Sequence, residues 1–193
     1  MAKERHTLAG YGVIKPYRQG DLSSLCGIYA AINAARLLSP AKATQKALWT
    51  EIYRFAVSCL ETEQRLTHGL MHGLSFDTWK ELQHAIYDEL TELLGASYRM
   101  RPLIRRTDKL KDDPAGAIRQ AIDADRVVLC ALSGALDHYT VIAGYTPSRW
   151  LLHDSYGYRW VDKAVTAIGD PQGKRHWIPF PSLVVLHRSE TGS

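Results

Sequence analysis

Cysteine is scarce in this chain: Cys26, Cys59 and Cys130 are the only three among 193 residues, and none belongs to a Cys-x-x-Cys pair. An odd, scattered set suits neither a disulfide framework nor a structural zinc site, so at least one thiol is free. Long apolar runs are missing too. No stretch reaches the roughly 18 uninterrupted apolar residues of a membrane span, and the start carries Lys3 and Arg5 without the apolar core of a signal peptide. The expectation is a folded, cytoplasmic protein with no membrane partner. Neither sign of charge dominates, since 24 basic residues face 20 acidic ones. The hydrophobic share of 46% and the charged share of 23% are those of an ordinary globular domain, which excludes disordered, collagenous and fibrous classes. At this length one domain is expected, large enough to fold without a covalent or metal staple.

The small basic excess is concentrated in one place. Arg99, Arg101, Arg105, Arg106, Lys109 and Lys111 crowd a segment whose only acid is Asp108. Nucleic-acid binding would require stacking aromatics or a recognisable module beside such a run, and only Tyr98 adjoins it. No nucleic-acid partner is therefore expected, and the run reads as a solvated edge or a patch for an acidic partner.

Hydrophobic periodicity divides the chain. After a turn-rich start with Gly10, Gly12, Pro16 and Gly20, a helix is predicted from Ser23 or Ser24, with Leu25, Ile28, Ile32 and Ala35 at helical spacing and Ser39-Pro40 as its stop. Further helices are predicted over about 44–63, 76–94 and 115–124, while 68–75, punctuated by Gly69 and Gly73, reads as a loop. From residue 126 onward, β-branched and alternating runs predict strands at 126–132, 138–145, 150–154, 158–161 and 182–187. The pattern predicts an α+β fold, helices first and a mostly antiparallel sheet second.

Cys26 is predicted in the first turn of an apolar helix, where unpaired backbone N–H groups and the helix dipole favour a thiolate. Gly27 is expected to leave space next to the sulfur. In the second half, Thr146-Pro147-Ser148-Arg149 reverses the strand beginning at His138 into one ending at Asp154. Such a hairpin can bring His138 and Asp154 side by side near its open end, given either a shift in register or a bulge. A carboxylate that orients an imidazole, and an imidazole that activates a thiol, form the general nucleophile, base and orienter arrangement. Asp137 is a poorer orienter, because neighbouring strand residues point to opposite faces. Cys59, on an apolar helix stripe, and Cys130, inside a strand, read as packed thiols.

With these residues in order, the sequence resembles the papain-like cysteine peptidase superfamily, and within it the bacterial group that includes the leader peptidases of bacteriocin exporters, which cleave after paired glycines. The phrases Cys-Gly-Ile-Tyr-Ala, His-Tyr-Thr-Val-Ile-Ala-Gly-Tyr and Asp-Ser-Tyr-Gly carry it, across about residues 17 to 160. The resemblance implies a single domain with a helical lobe over about 20–97 and a β lobe over about 98–190. It implies Cys26 as nucleophile, His138 as base and acid, Asp154 as orienter and Gln19 as side-chain donor to the oxyanion. Gln19 lies one residue further from the cysteine than is usual there, and Ser155 replaces the usual proline. The implied activity is cleavage of a peptide or isopeptide bond through a thioester acyl-enzyme, in a peptide or protein substrate with a glycine-rich cleavage site, while the basic segment 99–111 suggests an acidic one. The same residues would serve a thiol acyltransferase, and the same cleft an idle peptide-binding module.

Other constellations carry less. His68 and His72 have metal-pair spacing but no third ligand type beside them, so no metal and no cofactor are expected. His153 alternates to the face opposite Asp154 and reads as structural. Gly10-Tyr11-Gly12-Val13-Ile14-Lys15 lacks the third glycine of a dinucleotide fingerprint, and no Gly-x-Ser-x-Gly elbow occurs. The aromatics of the second half read as core, with Tyr156 and Trp160 at a cleft rim.

Overall fold

A computed structural model of the chain describes residues 4–20, 24–104 and 113–190. Its α-helices are α1 (Cys26–Leu37), α2 (Lys46–Thr62), α3 (Leu66–His72), α4 (Phe76–Leu94) and α5 (Pro114–Asp123). The strands are β1 (His6–Thr7), β2 (Ala96–Pro102), β3 (Val127–Gly134), β4 (His138–Tyr145), β5 (Arg149–Leu152), β6 (Trp160–Asp162), β7 (Thr166–Ile168), β8 (His176–Ile178) and β9 (Val184–Glu190). The protein is α+β. Its sheet runs β2-β9-β3-β4-β5-β6, all antiparallel along this path, with β1 added beside β4 and a parallel β7-β8 pair attached to the end of β3.

The helix boundaries follow from local chemistry. Ser75 caps α4 by accepting from the Thr78 N–H at 3.2 Å, and Gly95 ends it in the left-handed conformation at φ 61°. Asp113 caps α5 by accepting from the Gly116 N–H at 2.7 Å, with Pro114 in the first turn. Helix α1 is different. Leu25 stands at its N-cap position and gives no side-chain cap; of the two serines predicted for that role, Ser24 precedes the cap and Ser23 lies outside the described residues. What holds α1 is burial, since every residue but Tyr29 is withdrawn from solvent.

Alternation along β3 explains why that helix is central. Val127, Leu129 and Ala131 join the core formed with α1, α2 and α4, whereas Val128, Cys130 and Leu132 join a second core with Ile118, Ala121 and Ile122 of α5. Helices thus cover both faces of the sheet, and β4 is buried along its whole length. Transferring one Leu or Ile side chain into such a core stabilises by about 1.5–3 kcal/mol.

Two predictions need correction. Residues 66–72 form helix α3 rather than a loop, and only its end at Gly73, φ 80°, behaves as the turn signal suggested. Gly69 sits inside that helix because Leu74 and Leu25 press on it: a Cβ there would lie 2.9 Å from Leu74 Cδ2. The segment carrying Arg99 and Arg101 is a strand, β2, paired along its length with β9. Arg105, Arg106, Lys109 and Lys111 lie outside the described residues.

Candidate active site

Cys26 opens α1, His138 opens β4, and Asp154 follows β5 by two residues. The hairpin between β4 and β5 is the device that joins the last two. Ile142 pairs with Leu152 but Gly144 pairs with Leu151, so one extra residue bulges on β4. Gly144 permits this together with the approach of β1: a Cβ on it would lie 2.5 Å from the His6 carbonyl oxygen. Beyond the bulge, the His153 N–H donates to the Val141 carbonyl at 2.9 Å, and Asp154 arrives opposite His138.

The result is a buried pair. His138 Nε2 and Asp154 Oδ2 are 2.7 Å apart, with both side chains at 0% exposure. The remaining acceptor sites of the carboxylate are filled as well. Thr140 Oγ1 donates to Oδ2 at 2.6 Å, and the backbone N–H groups of Tyr156, Gly157 and Tyr158 converge on Oδ1 at 2.8, 2.9 and 3.1 Å. Burial pushes the Asp154 carboxyl up, but the bond to His138, its charge, Thr140 and the loop N–H groups together hold it below its ordinary value. Burial likewise pushes His138 down. The hydrogen bonds and charges of Asp154 and Cys26 outweigh it and raise the imidazole to about 9. With Nε2 committed to Asp154, Nδ1 is the ring nitrogen left for the thiol.

Cys26 and His138 line one cleft of about 440 Å³. One wall is the turn from α3 into α4, including His72, Leu74 and Phe76, and the other is the end of β3 and β4, with Ser133 and Tyr139. Tyr139 fastens the walls together, since its hydroxyl donates to the Leu74 carbonyl at 2.8 Å and its ring packs on Trp79 at 4.1 Å. Gly27, expected to give the sulfur room, instead admits Trp79: a Cβ there would lie 2.7 Å from Trp79 Cδ1, and the indole N–H donates to the Gly27 carbonyl at 3.0 Å. Tyr156 lies over the His138 ring, 4.5 Å between centroids, and lines the cleft, as its assignment to the rim foresaw. Trp160 does not line it and instead carries Arg149 over its face at 4.4 Å.

Gln19 is buried, and its backbone N–H donates to the Ser155 carbonyl at 3.1 Å, which ties the irregular segment before α1 to the loop after Asp154. Of the residues between Gln19 and Cys26, positions 21–23 lie outside the described residues. His153 is buried: burial, then the nearby Arg36 charge, lower it to about 4 against the opposing charge of Asp154. Burial pushes the Cys59 thiol up, helped by Glu63 and Glu89, and pushes the Cys130 thiol up further in the interior of β3. His68 and His72 do come together, on α3, with ring centroids 5.0 Å apart.

Thr140 and the N–H groups of residues 156–158 escaped sequence reasoning. The signals were present: Thr140 shares a strand face with His138 two residues earlier, and Gly157, at φ 95°, lets the loop curl around the carboxylate. No family model, curated protein or solved structure matches this chain. The functional reading rests on the geometry.

Proposed function

We propose that the protein is a papain-like cysteine peptidase or isopeptidase of two-lobed design, acting on a peptide or protein substrate through Cys26, His138 and Asp154. The observation that carries this reading is the buried His138–Asp154 pair, at 2.7 Å, opening onto the same cleft as a cysteine in the first turn of a helix. A structural histidine has no need of a carboxylate that is itself held by four further donors.

In the proposed reaction Cys26 passes its thiol proton to His138 Nδ1 and Sγ attacks the substrate carbonyl carbon, forming a C–S bond as the carbonyl π bond opens to an oxyanion. The backbone N–H of Cys26, at the start of α1, faces that charge, with the Gln19 side chain as second donor. The C–N bond then breaks as His138 Nδ1 gives its proton to the leaving amine. Water, deprotonated by His138, cleaves the thioester and restores the thiol. Loss of a positioned base typically costs about 10²- to 10⁴-fold and loss of one oxyanion donor about 10²- to 10³-fold.

The test is an activated ester, p-nitrophenyl acetate, with the intact protein analysed by mass. An acetyl adduct on Cys26 that forms and decays in wild type, and is absent in Cys26→Ala, is the expected result. No adduct on Cys26 would refute the reading. Decay only on addition of an amine would replace hydrolysis by acyl transfer.

A further inference from the structure

The cleft carries one carboxylate. Its lining is otherwise neutral or apolar, from Leu74, Phe76, Tyr139 and Tyr156, apart from Cys26 and the two histidines, His72 and His138. Asp137 is exposed, in the connection between β3 and β4, and among the described residues no ion pair neutralises it. Its backbone is held at φ 41°, the left-handed region that few residues other than glycine adopt and that aspartate and asparagine tolerate best. Local strain of this kind concentrates where a side chain must be aimed. The field of the carboxylate reaches across the cleft wall: after burial, the charges of Cys26 and Asp137 hold the Tyr139 hydroxyl above its ordinary range. A charge in a cleft with apolar walls acts more strongly on a ligand than the same charge on open surface. Arg99 and Arg101, which suggested an acidic substrate, are on β2 and do not line the cleft.

We propose that Asp137 sets the substrate preference of this site by drawing in a segment with a lysine or arginine side chain near the bond that Cys26 attacks. The proposal rests on the peptidase reading, and its test separates the two. Cys26 is modified with three methanethiosulfonates of similar size, bearing a trimethylammonium, a methyl and a sulfonate group, with the labelled cysteine located by peptide mapping. The cation-to-anion rate ratio, normalised to a small free thiol, should exceed one by about fivefold at low salt and shrink towards one in 1 M salt. Asp137→Asn, compatible with the same backbone, should lower it at least about threefold. A ratio unchanged by this substitution, or a wild-type preference for the anion, overturns the proposal. The neutral reagent reports thiol activation independently, so a Cys26 that reacts no faster than a free thiol would sink the peptidase reading while the charge ratio still decides the role of Asp137. A matching preference of about fivefold in kcat/KM for the p-nitrophenyl ester of acetyl-lysine over that of acetyl-norleucine, lost in Asp137→Asn, extends the result to turnover. Equal turnover of the two esters by the wild type contradicts it.

Discussion

His138 Nε2 meets Asp154 Oδ2 at 2.7 Å across a bulged hairpin, in a setting from which water is excluded on both sides of the bond. Breaking a buried pair by removing one partner costs about 3–5 kcal/mol, because the other charge is left without compensation. The pair therefore ties the site to the stability of the fold.

This linkage has a sign. His138 is raised from 6.5 to about 9 despite burial, so its contribution is fully present below pH 6.5 and is lost as pH rises through 9. Asp154 is depressed below 3.8, so its contribution is present above that value and is lost as pH falls through the lower one. The unfolding free energy of the wild type should fall by about 3 kcal/mol between pH 6.5 and pH 10, as read from urea titrations. Asp154→Asn should flatten most of that slope, and Thr140→Val, which removes one donor to the carboxylate, should flatten part of it. The same slope in Asp154→Asn would show that the raised imidazole does not depend on this carboxylate.

Gly27→Ala tests how α4 holds the start of α1. The added methyl would stand 2.7 Å from Trp79 Cδ1, so α1 or the indole must shift. Overpacking of this kind costs about 1–3 kcal/mol, and the shift begins one residue from Cys26. Denaturant midpoints should fall accordingly, with the rate of Cys26 alkylation falling in the same variant. Wild-type stability would mean that Trp79 is not wedged against α1.

The three thiols should differ in accessibility to chemistry. Cys26 lines the cleft, Cys59 is half-buried with its thiol raised by burial and by Glu63 and Glu89, and Cys130 is wholly enclosed. Labelling of the native protein by a neutral maleimide, mapped by mass, should proceed in the order Cys26, Cys59, Cys130, with Cys130 reacting only after denaturation. Labelling of Cys130 at the rate of Cys59 would contradict the placement of β3.

Much of this was legible from periodicity and punctuation. Gly95 fits the end of α4, Asp113-Pro114 opens α5, and the reversal at Thr146–Arg149 brings His138 to Asp154. What escaped the sequence was decided by tertiary contacts. A glycine costs a helix about 1 kcal/mol relative to alanine, which argued against α3, yet Gly69 is the residue that lets Leu74 close on that helix. Strand β2 does alternate, with Ala96 and Tyr98 buried and Arg99 and Arg101 outward, but its charges drew attention from its period. The short strands β7 and β8 owe their pairing to the end of β3, and three residues show no period. At the site, residue identities were readable while the loop N–H donors to Asp154 were not, because any residue supplies a backbone N–H.

The central claim, that His138 oriented by Asp154 activates Cys26, is tested most directly by the pH dependence of Cys26 alkylation with iodoacetamide. The account predicts rapid modification at pH 6, where a free thiol is almost wholly protonated, and a drop of about 10²-fold or more in His138→Ala, with Asp154→Asn in between. Modification of wild-type Cys26 that rises only with the ionisation of an ordinary thiol, and is unchanged in His138→Ala, would contradict it.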